Sequence, residues 1–249
     1  MTNLEQLDRS PLVPGDAPVD YGKPSVGQLM PRDVIPEGIC DADARLEAGA
    51  RRLASSKWKR VVDVVGSLMG ILCLTPFFLI VATAIMIESP GSPLFRQRRT
   101  GHRGAPFVIY KFRSMRVQED GPNVVQAKRD DDRITRVGTL LRRSSVDELP
   151  QLLNVLKGEM SLVGPRPHAL AHDVYYGELV SGYESRFRTK PGLTGLAQVS
   201  GLRGQTLVVG AMAARVERDL EYIREWSFFM DIKILLKTVV IFAFHPAAY

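Results

Sequence analysis

The longest hydrophobic stretch of the chain predicts a helix that meets a membrane. Val64 to Ile87 is a run of 24 residues without a charged side chain, and roughly 20 apolar residues are enough to cross the hydrocarbon core of a bilayer. A helix buried in a soluble core is the alternative, but such helices rarely stay uncharged over this length. The pattern therefore favours a membrane-associated protein.

Proline and charge predict that this helix enters the membrane and returns. Thr75 and Pro76 lie near its middle, and a proline inside a helix removes a backbone donor and bends it. Basic residues flank the run on both sides: Arg51, Arg52, Lys57, Lys59 and Arg60 before it, and Arg96, Arg98, Arg99 and Arg103 after it. Positive residues mark the cytoplasmic side of a membrane. A re-entrant hairpin over residues 56–92 places both basic clusters on that side. A simple span is the alternative.

The periodicity after this hairpin predicts a body of helices with little sheet. Phe107–Tyr110 is a strand candidate, while Arg136–Arg143 and Leu149–Leu156 are typical of short helices. Thr206–Trp226 is amphipathic and predicts a longer helix. Phe228–Phe244 is more apolar, but three charged residues interrupt it, so we expect a helix lying at the membrane interface, with a buried core helix as the alternative.

Composition and charge separate a leader from the rest of the 249 residues. Six prolines fall in the first 50 residues, which carry 4 Lys or Arg and 9 Asp or Glu, against 29 and 18 in residues 51–249. We expect a flexible acidic leader over residues 1–55, and a basic body whose partner is an anion, either nucleic acid, a nucleotide or an anionic membrane. The 45% of hydrophobic residues excludes a fully disordered chain, and two cysteines exclude a disulfide framework.

The candidate chemistry lies in the segment from Asp130 to His168. Asp147 and Glu148 stand where a helix is predicted to begin, either inside a capping box with Ser145 or with Asp147 itself as the cap. Most such pairs only cap a helix. An ionised Asp beside a second carboxylate can also bind Mg²⁺ or attack phosphorus.

Cations near this pair indicate that it faces phosphate. Arg142 precedes it, Arg166 follows it in Gly164-Pro165-Arg166-Pro167, and Lys111 and Arg113 come just after the predicted strand. Each alone reads as surface charge, but together they are typical of a diphosphate site. The glycine-rich stretch from Pro191 to Gly204 matches neither standard nucleotide-binding motif.

These blocks resemble the bacterial sugar transferases, which are monotopic phosphoglycosyl transferases. The similarity runs from about Lys57 to Tyr249, through KRVVDVVGS, PLFRQRRTGHRG, YKFRSM, SVDELPQLLNVLKGEMSLVGPRP, KPGLTGLAQVSG and DLEYIREWSFFMDIKILLKT. Two positions depart from the usual pattern, with Asp132 where many members have proline and Thr75-Pro76 where Ser-Pro is common.

The resemblance implies a fold, a place in the cell and a reaction. It implies a mostly helical α+β fold, with a re-entrant membrane hairpin (residues 56–92) and a small α/β catalytic body with interfacial C-terminal helices (residues 93–249), on the cytoplasmic face of the bacterial inner membrane. It implies transfer of a hexose-1-phosphate from a UDP-sugar, glucose or galactose, to undecaprenyl phosphate. UMP is released in this first step of exopolysaccharide or capsule assembly.

The same resemblance implies the roles of individual residues. Asp147 would be the nucleophile and the ligand of Mg²⁺, with Glu148 completing the dyad. The residues implied to bind phosphate or nucleotide are Lys111, Arg113, Arg142, Arg166 and Arg203. Nucleic acid then becomes the least expected partner, and a homodimer is left open.

Two other functions are compatible with the residues alone. One is a non-catalytic, membrane-tethered adaptor that binds anionic lipid, which predicts that Asp147→Ala is tolerated. The other is a Mg²⁺-dependent UDP-sugar phosphohydrolase that uses the same dyad, which predicts turnover without polyprenol phosphate.

Overall fold

The computed structural model describes residues 37–116, 131–204 and 208–244, and these are mostly helical with a little sheet. The helices are α1 (Glu37–Ser55), α2 (Lys57–Glu88), α3 (Arg136–Ser144), α4 (Leu152–Lys157), α5 (Leu170–Leu179), α6 (Leu196–Val199), α7 (Val209–Glu225) and α8 (Phe228–Phe244). Strand β1 (Leu94–Thr100) pairs antiparallel with β2 (Pro106–Phe112), and β3 (Ser161–Val163) pairs parallel with β4 (Gly192–Thr194). The expectation of a mostly helical α+β fold is confirmed.

Several predicted elements agree with the structure. Helix α8 has the predicted bounds, α3 ends one residue later than predicted, and the strand candidate Phe107–Tyr110 lies inside β2. The predicted amphipathic helix begins at Val209, and its expected start, Thr206, lies outside the described residues. Of the predicted helix Leu149–Leu156, the first three residues belong to a 3₁₀ segment, Val146–Gln151, which precedes α4.

The second part of the expected leader was assigned wrongly, because α1 is part of the core. Leu46, Ala50 and Leu53 are buried against Tyr222 and Ile223 of α7. A Cβ at Gly49 would lie 2.0 Å from the carbonyl oxygen of Ile223, so only glycine permits this approach of the two helices. Residues 1–36 lie outside the described part of the chain.

Helix α2 contacts the body at both ends and exposes its middle. Gly66 and Gly70 approach Leu162 and Leu152 near the start of the helix. Val81 and Ile85 are buried near its end, in a cluster with Phe112 of β2 and Leu141 of α3. The large apolar side chains that it exposes include Leu72, Phe77, Leu79 and Ile80. The helix is long and apolar enough to cross a membrane.

The proline of α2 sits inside one helix that runs from Lys57 to Glu88. Pro76 cannot donate to the carbonyl four residues before it. The hydroxyl of Thr75, the residue before the proline, donates to the carbonyl oxygen of Ile71 at 2.7 Å. The bend at Thr75-Pro76 stays a prediction.

The end of α2 is tied to the start of α3 by a carboxylate. Glu88 accepts hydrogen bonds from the backbone nitrogens of Arg136 at 2.7 Å and Val137 at 2.8 Å. These amides have no partner within the helix, and a negative charge at a helix N-terminus is favourable. This contact fixes α3, which leads into the dyad, against the apolar helix.

A buried ion pair ties the start of α2 to α8. Lys59 Nζ donates to Asp231 Oδ2 at 2.7 Å, to the Tyr222 hydroxyl at 3.1 Å and to the carbonyl oxygen of Val163 at 3.0 Å. Tyr222 also donates to Asp231. We call Lys59, Tyr222 and Asp231 the anchor cluster, because it joins α2, α7 and α8.

Candidate active site

Asp147 and Glu148 lie in the 3₁₀ segment between α3 and α4. Ser145 adopts a left-handed backbone conformation, φ 55° and ψ 20°, which ends α3 and turns the chain before the dyad. The predicted capping box is wrong, because no side chain caps this segment and the Ser145 hydroxyl accepts a hydrogen bond from Arg203. Asp147 as a cap is also wrong, because α4 begins at Leu152 with Gln151 at its N-cap.

Glu148 is buried and held by two cations. Lys111 Nζ donates to its Oε1 at 2.9 Å, and Arg166 donates to both of its oxygens, to Oε2 at 2.7 Å. Burial alone would raise the pKa of Glu148, but the charges and hydrogen bonds of Arg166 and Lys111 outweigh it. The pKa of this carboxyl therefore lies well below its usual range.

Asp147 has the opposite surroundings. Its side chain is half-buried, and among the described residues none donates a hydrogen bond to its carboxylate. Burial and the negative charge of Glu148 raise its pKa to about 6, against the opposing charges of Lys111, Arg142 and Arg166. At neutral pH it is an ionised carboxylate to which no described residue donates a hydrogen bond, so its oxygens are open to react as a nucleophile.

Arg166 is fixed by a tight backbone approach. A Cβ at Gly192 would lie 2.1 Å from the nitrogen of Gly164, so glycine is required where the turn carrying Arg166 meets β4. Behind the turn, Arg186 Nη2 donates to the carbonyl oxygen of Arg166 at 2.6 Å, and Arg186 Nε donates to Asp219 Oδ2 at 2.8 Å.

Sequence reasoning missed Arg186 and Asp219. Both are buried, and their pair holds the backbone of a residue that contacts the dyad. A signal did exist, because Asp219 lies on the apolar face of α7 with Met212, Val216 and Ile223, at helical spacing. A carboxylate at such a position needs a partner.

The other predicted phosphate ligands separate into two groups. The positive charge of Arg142 lowers the pKa of Asp147. Arg203 donates to the hydroxyl of Ser145, which is two residues before Asp147. Arg142 and Arg203 therefore both lie at the site. Arg113 does not join the dyad: its guanidinium donates to the carbonyl oxygens of Ser89 and Pro90, at 2.6 Å and 2.8 Å, and so braces the turn that follows α2. The expected phosphate-binding role of Arg113 stays a prediction, and these contacts do not support it.

The residues at the dyad fit a Mg²⁺ ion only if phosphate groups of a bound substrate supply the other ligands. Both oxygens of Glu148 are engaged by cations, so Asp147 is the carboxylate of the dyad that is left for a metal. The described residues hold no group of three or more His, Cys, Asp or Glu side chains arranged around a metal. Mg²⁺ is commonly bound by one or two carboxylates together with substrate phosphates, and Asp147 fits that pattern.

Several known proteins are similar to this chain in sequence. A 56% identical relative over 188 residues is the UDP-glucose:undecaprenyl-phosphate glucose-1-phosphate transferase of Caulobacter vibrioides, with 76% of this chain and 70% of the relative covered. The Escherichia coli K12 protein of the same name is 50% identical over 191 residues, which cover 77% of this chain and 41% of the relative. Exopolysaccharide production protein PSS of Rhizobium leguminosarum is 49% identical over 186 residues, 73% of this chain and 93% of the relative.

The chain thus spans about two fifths of the E. coli protein but nearly all of the Rhizobium one. The family model described as bacterial sugar transferase matches residues 54–245, a range that holds α2, the dyad and α8. The family suggested by the sequence blocks is therefore confirmed, and this chain belongs to the bacterial sugar transferases.

Proposed function

We propose that this chain transfers glucose-1-phosphate from UDP-glucose to undecaprenyl phosphate at the membrane surface. The observation that carries the proposal is the contrast between the two carboxylates. No described residue donates a hydrogen bond to Asp147, and its pKa is raised to about 6, whereas two cations hold Glu148 in place. The relatives from Caulobacter and E. coli bear the name of this activity, and exopolysaccharide production in the Rhizobium name fits the same step.

The proposed reaction has two steps, and Asp147 takes part in both. An Asp147 oxygen attacks the phosphorus that bears the sugar, the bond from this phosphorus to the bridging oxygen breaks, and UMP leaves with the electron pair. Glucose phosphate remains bonded through its phosphorus to the Asp147 carboxylate, as an acyl phosphate. An oxygen of undecaprenyl phosphate then attacks the same phosphorus, which frees Asp147 and yields undecaprenyl diphosphate glucose.

The cations serve the charge that moves during these steps. In phosphoryl transfer the protein acts mainly by placing positive charges that neutralise the negative charge on the equatorial phosphoryl oxygens, and less by transferring protons. Arg166 and Lys111 are held by Glu148 with little freedom, and Arg142 adds a third charge toward Asp147. Mg²⁺ bound by Asp147 and the diphosphate would supply further neutralisation of the substrate.

The proposal includes a re-entrant α2 on the cytoplasmic face of the inner membrane. A membrane-crossing helix separates its ends by a hydrocarbon layer about 30 Å thick. Here Lys59 at one end bonds to Asp231, and Glu88 at the other end bonds to α3, so both ends contact the same body. This supports entry and exit on one face, with the exposed apolar middle in lipid.

Topology can be tested with single cysteines at two exposed positions, Lys57→Cys and Arg98→Cys, in a background where Cys40 and Cys73 are serine. Both should resist an impermeant thiol reagent in intact cells and react after the cells are opened. Labelling of either position from outside would favour a span.

The activity is tested by measuring UMP release from a panel of UDP-sugars with and without undecaprenyl phosphate. We expect sustained turnover with UDP-glucose only when the lipid phosphate is present. Equal turnover in its absence would identify a hydrolase, and no release from any UDP-sugar in its presence would favour a non-catalytic adaptor.

A further inference from the structure

An apolar cavity opens beside the dyad. It has a volume of about 530 Å³ and extends from the 3₁₀ segment of the dyad across β4 and α6 to α8. Hydrocarbon side chains form most of its wall, among them Leu149, Leu193, Val199, Leu235, Val239 and Ile241. Leu235 and Val239 are four residues apart on α8, so they share one face of that helix.

The few polar groups along the apolar wall are mostly bonded to the protein itself. The hydroxyls of Thr194 and Thr238 bond to each other at 2.8 Å, and Thr238 also donates to the carbonyl oxygen of Ile234. The Gln198 amide nitrogen donates to the carbonyl oxygen of Leu193 at 3.4 Å, whereas its buried Oε1 has no hydrogen-bond partner among the described residues. A sugar or a uracil ring needs polar partners when it is buried, and this wall offers few, so it favours hydrocarbon.

The cavity is charged at one end only. Glu148, Ser145 and Arg203 line that end, which adjoins Lys111 and Arg166 through their contacts with Glu148. A ligand with an anionic head and a hydrocarbon tail matches this order of charge and apolar surface.

We propose that the cavity holds the first isoprene units of undecaprenyl phosphate, with the phosphate at the Arg203 end, next to Asp147. This rests on the proposed transferase function and adds to it the place where the acceptor binds. The tail would leave the cavity past Val239, which lines it and is itself exposed. The lipid is thus bound by its phosphate and its proximal tail together.

A pair of neighbouring valines on α8 provides the test. Val239 lines the cavity and Val240 does not, although both are largely exposed, 67% and 53%. Val239→Trp should fill the cavity and raise the KM for undecaprenyl phosphate about tenfold, the size of an overpacked apolar site. Val240→Trp is the matched control and should leave this KM unchanged.

Two further measurements separate this inference from the proposed function. Because the cavity adjoins the phosphate, Val239→Trp should raise the KM by a similar factor for geranyl phosphate, which has only two isoprene units. An effect confined to the long lipid, or an equal effect of Val240→Trp, would overturn the cavity assignment. The burst of UMP formed without lipid reports the first half-reaction, so its absence in the wild-type protein would overturn the proposed function instead.

Direct labelling gives an independent answer. Undecaprenyl phosphate with a photoreactive diazirine in its first isoprene unit should crosslink to residues of β4 or α8 that line the cavity, identified by peptide mass spectrometry. Crosslinks found only on the exposed middle of α2 would contradict the proposal.

Discussion

Among the described residues, the lysine–carboxylate pairs Lys59–Asp231 and Lys111–Glu148 differ in their surroundings, and the difference distinguishes a structural role from the catalytic one that we propose. In the anchor cluster, Lys59 donates to three oxygens, and Tyr222 completes the coordination of Asp231. In the site cluster, formed by Lys111, Glu148 and Arg166, two cations hold one carboxylate, and the neighbouring Asp147 has no donor among the described residues. A buried ion pair alone therefore does not indicate a catalytic site, and our proposal rests on the carboxylate beside one such pair to which no described residue donates a hydrogen bond.

The largest expected effect comes from removing that carboxylate. Asp147→Asn should reduce UMP release by about a thousandfold or more, because a neutral amide cannot attack phosphorus. The measurement is UMP formation from UDP-glucose, normalised to folded protein. Asp231→Asn, in the anchor cluster, is the matched control and should keep UMP formation per folded molecule. Equal activity in the Asp147→Asn variant would remove the basis of the comparison.

The anchor cluster should show its effect in stability. Lys59→Met leaves Asp231 buried without its cation, which should lower the free energy of unfolding by about 3–5 kcal/mol. Thermal or denaturant unfolding in detergent micelles measures this loss, and the double variant Lys59→Met/Asp231→Leu should recover part of it. A Lys59→Met protein that is as stable as the wild type would show that the cluster does not hold α2 to α8.

The smallest effect is a displacement along the pH axis. With the pKa of Asp147 raised to about 6, the ionised nucleophile is lost as the pH falls below this value. The rate of the lipid-free UMP burst should then fall about tenfold per pH unit.

Glu148→Gln sharpens this test, because it removes the like charge that raises the pKa of Asp147 and frees Lys111 and Arg166 to lower it. The acid limb of the burst should move to lower pH, even though the rate itself falls. A limb that stays in place, or moves to higher pH, would show that Glu148 does not set the protonation of Asp147.

Much of this arrangement could be predicted from the sequence because the signals were local. The bounds of α8 follow from its apolar run, and the grouping of Arg142 and Arg166 near the dyad follows from their density in the segment from Asp130 to His168. What failed depended on contacts distant in sequence. Helix α1 packs with Gly49 against the carbonyl of Ile223. Ser145, whose hydroxyl accepts a hydrogen bond from Arg203, has a left-handed backbone instead of the extended backbone of a capping residue.

The contacts of Arg113 also could not be predicted from the sequence. Its neighbour Lys111 points to Glu148, but the Arg113 side chain reaches the carbonyl oxygens after α2. Successive residues of an extended segment alternate between faces only while the strand continues, and β2 ends at Phe112. A charge pattern alone therefore could not assign Arg113 to one partner.

The most direct test of the account is intact-protein and peptide mass spectrometry after mixing the enzyme with UDP-glucose and Mg²⁺ in the absence of lipid. We predict one UMP released per active molecule and one hexose phosphate attached to the peptide at Asp147, which is lost when undecaprenyl phosphate is added. Lipid-dependent turnover without any adduct, or an adduct on a different residue, would contradict the central claim that Asp147 is the nucleophile.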